Sequence, residues 1–223
     1  MEQMDFMSTK KKKIIAHQNG KNGNDLLEIL GIKAKKEKDY FSERPLARLH
    51  EFYLSGTIES ADEYVEWFDT IRHATENDVV KVYINSYGGD LFTAIQFMRA
   101  IGESEATVAI SVEGACMSAA TMIFLMADAF EVSKHSMFMF HNYSGGTFGK
   151  GGEMLDQLQH ERTWSEKLLR DIYSDFLTDK EIESMLNNKD IWMDGDEVVK
   201  RLKSKAKKVK QTSKTKEGEK EDG

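Results

Sequence analysis

The sequence predicts an α/β fold built on a largely parallel sheet. Two observations carry that prediction. Short β-branched, apolar runs recur through the middle of the chain, and segments with apolar residues at helical spacing separate them. Alternation of this kind needs crossover helices that return the chain to the same end of a sheet.

In order, residues 1–45 read as a flexible, lysine-rich arm, interrupted by the apolar island Leu26-Leu27-Glu28-Ile29-Leu30. Residues 46–202 form one domain, opening just after the only proline, Pro45. Phe52-Tyr53-Leu54 is the first strand, and Ser60 is placed to cap a helix through Tyr64, Phe68 and Ile71. Val79 to Ile84 is a β-branched strand. It breaks at Asn85-Ser86-Tyr87-Gly88-Gly89, ahead of a helix with Phe92, Ile95, Met98 and Ile101 on one face. Ala106 to Val112 is the next strand, followed by a turn at Ser118, a small-residue helix, and strands near Phe130-Glu131-Val132 and Met137 to Phe140.

After His141 the glycines of residues 144–152 predict a flexible loop. A long helix then runs from about Glu153 to Phe176, and its middle, Gln159 to Arg162, is polar all round. Such a helix fits either a surface position or a projection that pairs with a partner subunit. Asp179 opens a short helix, Ile191-Trp192-Met193 is a short strand, and Glu197 to Leu202 is the closing helix. The basic tail, 203–223, lacks an apolar pattern and is expected to be disordered.

Composition excludes several classes. Hydrophobic residues at 40% suffice for a packed core. Ten basic residues face seven acidic ones in residues 1–45, and nine face four in residues 201–223, which leaves twelve against 27 between them. An acidic body between basic tails argues against nucleic-acid binding by the body. The single cysteine, Cys116, excludes an internal disulfide, and it has no companions at metal-ligand spacing. No cofactor or metal is expected. The longest mainly apolar run, Ala119 to Met126, is far short of the roughly 20 residues a membrane span needs. Lys10 to Lys13 are followed by only Ile14-Ile15-Ala16, too little for a signal peptide. These features predict a soluble, cytoplasmic protein.

Chemistry concentrates at Val112-Glu113-Gly114-Ala115-Cys116-Met117-Ser118-Ala119-Ala120. A serine at a strand-to-helix turn is thrown clear of the sheet, beside the positive end of the helix dipole, where a nucleophile gains. The same serine serves equally as a helix cap. A nucleophile also needs a base, and His141 ends an apolar strand at the mouth of a glycine-rich loop. Gly88 and Gly89 let backbone N–H groups face a site and admit a substrate strand alongside.

Together these stretches resemble the Clp protease proteolytic subunit. Tyr83-Ile84-Asn85-Ser86-Tyr87-Gly88-Gly89 is similar to its glycine-rich strand end, Gly114 to Ala120 to its nucleophile turn, and Met137 to His141 to the strand that delivers its histidine. The resemblance spans roughly Leu49 to Leu202. It implies a crotonase-like fold with a projecting handle helix, and rings of seven stacked in pairs as a tetradecamer. It also implies a hexameric ATP-driven (AAA+) unfoldase as partner and unfolded polypeptide as substrate, with neither nucleic acid nor membrane involved. Ser118 is then the nucleophile, His141 the general base, and the amides of Gly89 and Ala119 the oxyanion hole. Tyr87 replaces the family's usual proline, and Asn142-Tyr143 its Gln-Pro. The polar tails resemble divergent versions found in bacteriophage genomes. For the third catalytic group the family's interval from the histidine favours Asp190, with Asn188 as rival. Asp194 and Asp196 are expected to cap the last helix. An active serine endopeptidase is the favoured reading, and a catalytically silent ring subunit the alternative.

Overall fold

Val80, Val82 and Ile84 are buried in the second strand, while Lys81 and Tyr83 between them stay partly exposed. That two-residue period is what a sheet with one covered face requires. The computed structural model describes residues 46–218, with side chains through residue 206, so the predicted N-terminal arm lies outside the described residues. Among the described residues there are six strands: β1 (Leu49–Ile58), β2 (Val79–Gly89), β3 (Thr107–Met117), β4 (Ala129–Val132), β5 (Met137–Phe140) and β6 (Ile191–Asp194). The helices are α1 (Val65–His73), α2 (Leu91–Glu103), α3 (Ala119–Phe124), α4 (Gly151–Tyr173), α5 (Asp179–Leu186) and α6 (Gly195–Gly218).

The sheet order is β1-β2-β3-β5-β6, with β4 also on β3. Every pairing is parallel except β5 with β6. One edge of β3 therefore serves two partners. Ala109 to Val112 pair with β4, and Ala115 to Met117 pair with β5. The change of partner coincides with a bulge: Ile84 faces Val112, but Ser86 faces Cys116. The Asn85 side chain occupies this bulge, its Oδ1 accepting from the Ala115 N–H at 3.0 Å. Gly114 makes room for it, since a Cβ there would stand 2.7 Å from that oxygen. The bulge re-aims the end of β3 toward β5.

Helices cover one sheet face. Tyr64, Phe68 and Phe97 pack edge-on or tilted between α1 and α2, and α3 is buried on all sides. Emptying the Phe97 position would cost about 3–5 kcal/mol. By contrast, α4 is exposed over most of its first half and buries residues only from Ser165 onward.

Some predicted boundaries change. Ser60 precedes a 3-10 turn (Ala61–Tyr64), and its hydroxyl bonds the Asp62 side chain rather than a backbone amide. The glycine segment 85–89 stays in β2 instead of breaking it. The closing helix runs through Gly218, so residues 203–218 are helical rather than a disordered tail. Lysine, alanine and glutamine are good helix formers, and no glycine or proline interrupts residues 196–217.

Helix α6 is pinned to α5 by a fork. Arg201 donates to both Glu181 oxygens at 2.8 and 2.9 Å, and Glu181 also closes a capping box with Thr178. The guanidinium, with help from the Thr178 donors, holds the Glu181 carboxyl at about 2 against an ordinary 4.5. Because the folded value is depressed, the clamp's stability is complete above about pH 4.5 and is lost as pH falls toward 2. Denaturant melts across that window should show wild type losing about 2 kcal/mol more than Glu181→Gln. This figure is discounted for a pair that water partly screens. Equal losses in the two proteins would remove the clamp from the account.

Candidate active site

Ser118 joins β3 to α3 with φ 54° and ψ −128°. A side chain tolerates that conformation poorly, at a cost of about 1–3 kcal/mol, unless its surroundings impose it. Here they do. The Ser118 N–H donates to the Met139 carbonyl at 2.8 Å, while its own carbonyl accepts from the Thr121 N–H at 2.9 Å and the Thr121 hydroxyl at 2.7 Å. Met117 pairs with Met139 in the β3–β5 ladder, so the residue two beyond Met139 is delivered to the serine. That residue is His141, and its Nε2 lies 2.5 Å from Ser118 Oγ.

The glycine strand end meets the same turn. Gly88 has φ 93°, and a Cβ on it would sit 2.6 Å from Ser118 Cβ and 3.1 Å from the Ala119 nitrogen. Its N–H donates to Ser86 Oγ at 3.1 Å, and that buried hydroxyl donates in turn to the Gly56 carbonyl at 2.7 Å. Gly89 lies against β1, where a Cβ would come within 2.2 Å of the Ile58 carbonyl oxygen. Ala119 opens α3, and an amide in a helix's first turn has no partner within that helix. Tyr87 points outward and is exposed.

Asp190 is exposed and stands immediately before β6. The antiparallel ladder pairs Phe140 with Ile191. One step further along that register, Asp190 falls opposite His141, and cross-strand partners share a face. Among the described residues no hydrogen bond joins Asp190 to His141. Asn188 has φ 61°, and its amide oxygen accepts from Asn142 Nδ2 at 3.2 Å. Asn142 thereby ties the residue after His141 to the α5–β6 turn. Asp194 caps α6 by accepting from the Glu197 N–H at 2.8 Å, as its position predicted.

Cys116 is a poor competitor for the nucleophile's role. It is fully buried two residues before the serine, and burial pushes its thiol well above the ordinary value. Among the described residues, no group of three or more His, Cys, Asp or Glu side chains is placed to hold a metal. No described helix is long and apolar enough to cross a membrane.

The fold brings the three motif stretches together as a strained serine bonded to a histidine, with a glycine strand end packed on the turn. The Clp protease family model matches residues 45–201. The chain belongs to the Clp protease family. No curated protein matches it. The fold is therefore the crotonase-like one of the Clp proteases, and the half-exposed α4 is its projecting handle helix. Sequence reasoning about this Clp protease missed Asn85 and Asn142 as supports. Asn85 lay inside a quoted motif, but its partner on β3 is 30 residues away.

Proposed function

We propose that this Clp protease is a serine endopeptidase subunit, cleaving unfolded polypeptides inside a ring chamber with Ser118, His141 and Asp190. The observation that carries the reading is the 2.5 Å contact between Ser118 Oγ and His141 Nε2 on a strained, over-determined turn. As Oγ attacks the peptide carbonyl, His141 takes its proton, and Asp190 steadies the imidazolium that forms. The carbonyl oxygen becomes an oxyanion facing the amides of Gly89 and Ala119, with Gly88 giving the substrate strand close access. His141 then returns the proton to the leaving amine, and water hydrolyses the acyl ester by the same route.

Stacked heptameric rings, a hexameric AAA+ unfoldase and a cytoplasmic setting belong to this reading too. Family membership supports the rings and the unfoldase, and the exposure of Leu155 and Leu158 on α4, which a partner subunit would cover, supports the rings. The silent ring subunit remains the rival, favoured only by the lack of a bond between Asp190 and His141.

An unstructured fluorescent polypeptide tests the proposal, with light scattering on the same sample. Hydrolysis by a large oligomer is expected. A strict monomer removes the ring, and a ring without hydrolysis selects the silent subunit. Gly88→Ala should lower turnover by about 10²-fold, because the added methyl displaces the nucleophile by the ångström or so that spoils alignment. Peptidase assays of that variant near the wild-type rate would contradict the packing of Gly88 on the turn.

A further inference from the structure

A buried polar contact joins the base of the handle helix to the nucleophile turn. Thr121, on α3, is fully buried, and its hydroxyl lies 2.7 Å from that of Tyr173, the last residue of α4, which is 1% exposed. The proton inventory orders the pair. A threonine hydroxyl has one hydrogen, and the Ser118 carbonyl can only accept, so Thr121 donates there and must accept from Tyr173. The chain therefore runs from Tyr173 O–H through Thr121 O–H to the carbonyl of Ser118. Burial also raises the Tyr173 phenol well above its ordinary value, which keeps this donor protonated.

The ring of Tyr173 makes a second link. It packs edge-on against Phe140, with centroids 5.5 Å apart at 87°, and Phe140 is the residue before His141. One side chain thus touches the supports of both members of the Ser118–His141 pair. The backbone of Tyr173 is itself anchored, its carbonyl accepting from the amides of Phe176 and Leu177.

We propose that Tyr173 is a positioning residue whose hydroxyl, through Thr121, holds Ser118 in its strained, reactive conformation. The proposal rests on Ser118 being the nucleophile. Without the Thr121 hydroxyl the Ser118 carbonyl keeps only the Thr121 amide; without the Tyr173 hydroxyl, Thr121 loses the donor that orients its own proton toward that carbonyl, and either loss loosens the turn that presents Oγ to His141.

The test uses the full chain as wild type, Tyr173→Phe, Thr121→Val, Thr121→Ser and the Phe/Val double variant. Tyr173→Phe and Thr121→Val nearly preserve volume, and Thr121→Ser drops one methyl while keeping the hydroxyl. Two readouts are taken: the second-order rate of fluorophosphonate labelling, and amide hydrogen exchange over residues 117–124. Tyr173→Phe and Thr121→Val should each slow labelling by up to about tenfold, the worth of one buried hydrogen bond. Each should also speed exchange in that segment. On peptide, the loss should fall on kcat rather than KM. Thr121→Ser, which keeps the hydroxyl, should stay near wild type, and the double variant should be no worse than Thr121→Val alone, because that substitution already removes both bonds of the chain. Wild-type labelling and exchange in both single variants would overturn the proposal. So would a Thr121→Ser loss equal to that of Thr121→Val, or a double loss equal to the product of the singles. If wild type itself takes no label, the nucleophile reading fails. Exchange over residues 117–124 then still decides whether Tyr173 holds the turn.

Discussion

Ser118→Ala is expected to lower turnover of an unstructured polypeptide by about 10⁶-fold, the scale of loss when the serine of a Ser-His-Asp enzyme is removed. The fold should not notice. The bonds that impose φ 54° on residue 118 use its main-chain N–H and carbonyl, and alanine keeps both. The hydroxyl's contact is with His141. Active-site loss should therefore come with unchanged light scattering and an unchanged thermal midpoint to within a few degrees. Steady-state peptidase assays on matched preparations read the first quantity, and scattering and calorimetry the others. A variant that keeps a tenth of wild-type turnover would show that another group does the chemistry.

Asp190→Asn carries the next largest effect, about 10⁴-fold in turnover with assembly kept, on the precedent of the chymotrypsin-like triad. A base that abstracts a proton from serine becomes an imidazolium, and a carboxylate on its other nitrogen stabilises that charge and selects the tautomer. Asp190 precedes Ile191, which pairs with Phe140, the residue before His141, so extending that register by one step brings the two side by side. Its rival has other work, because the Asn188 amide oxygen is bonded to Asn142, and Asp194 is committed to the start of α6. Asn188→Ala should accordingly leave turnover within a few-fold of wild type. The missing bond to His141 is no obstacle, since catalytic hydrogen bonds often tighten only when substrate is bound. The opposite ranking of the two variants would move the role to Asn188. If neither variant slows turnover, the enzyme works as a Ser-His dyad.

Legibility in the sequence followed the range of each interaction. Val79 to Ile84 and Ala106 to Val112 announced strands because half-buried and fully buried strands select β-branched and apolar residues locally. The turn at Ser118, the strand end at His141 and the tandem glycines were legible for a similar reason. Each is a short stretch whose chemistry follows from its neighbours. What escaped depends on side chains distant in sequence. Asn85 filling the β3 bulge, and Tyr173 reaching Thr121 across 52 positions, leave no local pattern. Residues 203–218 escaped for the converse reason, since their helix rests on propensity without an apolar stripe. The ladder whose last pair, Phe140 with Ile191, stands next to His141 and Asp190 needed the antiparallel register of β6, which a four-residue strand does not declare.

The most direct measurement of the central claim is site mapping of a fluorophosphonate adduct on the full-length protein by peptide mass spectrometry. A single adduct on Ser118 is predicted, formed at a rate that collapses in His141→Ala, because the probe reports only a serine whose proton a base removes. An adduct on any other serine, or equal labelling of Ser118 with and without His141, would contradict the account.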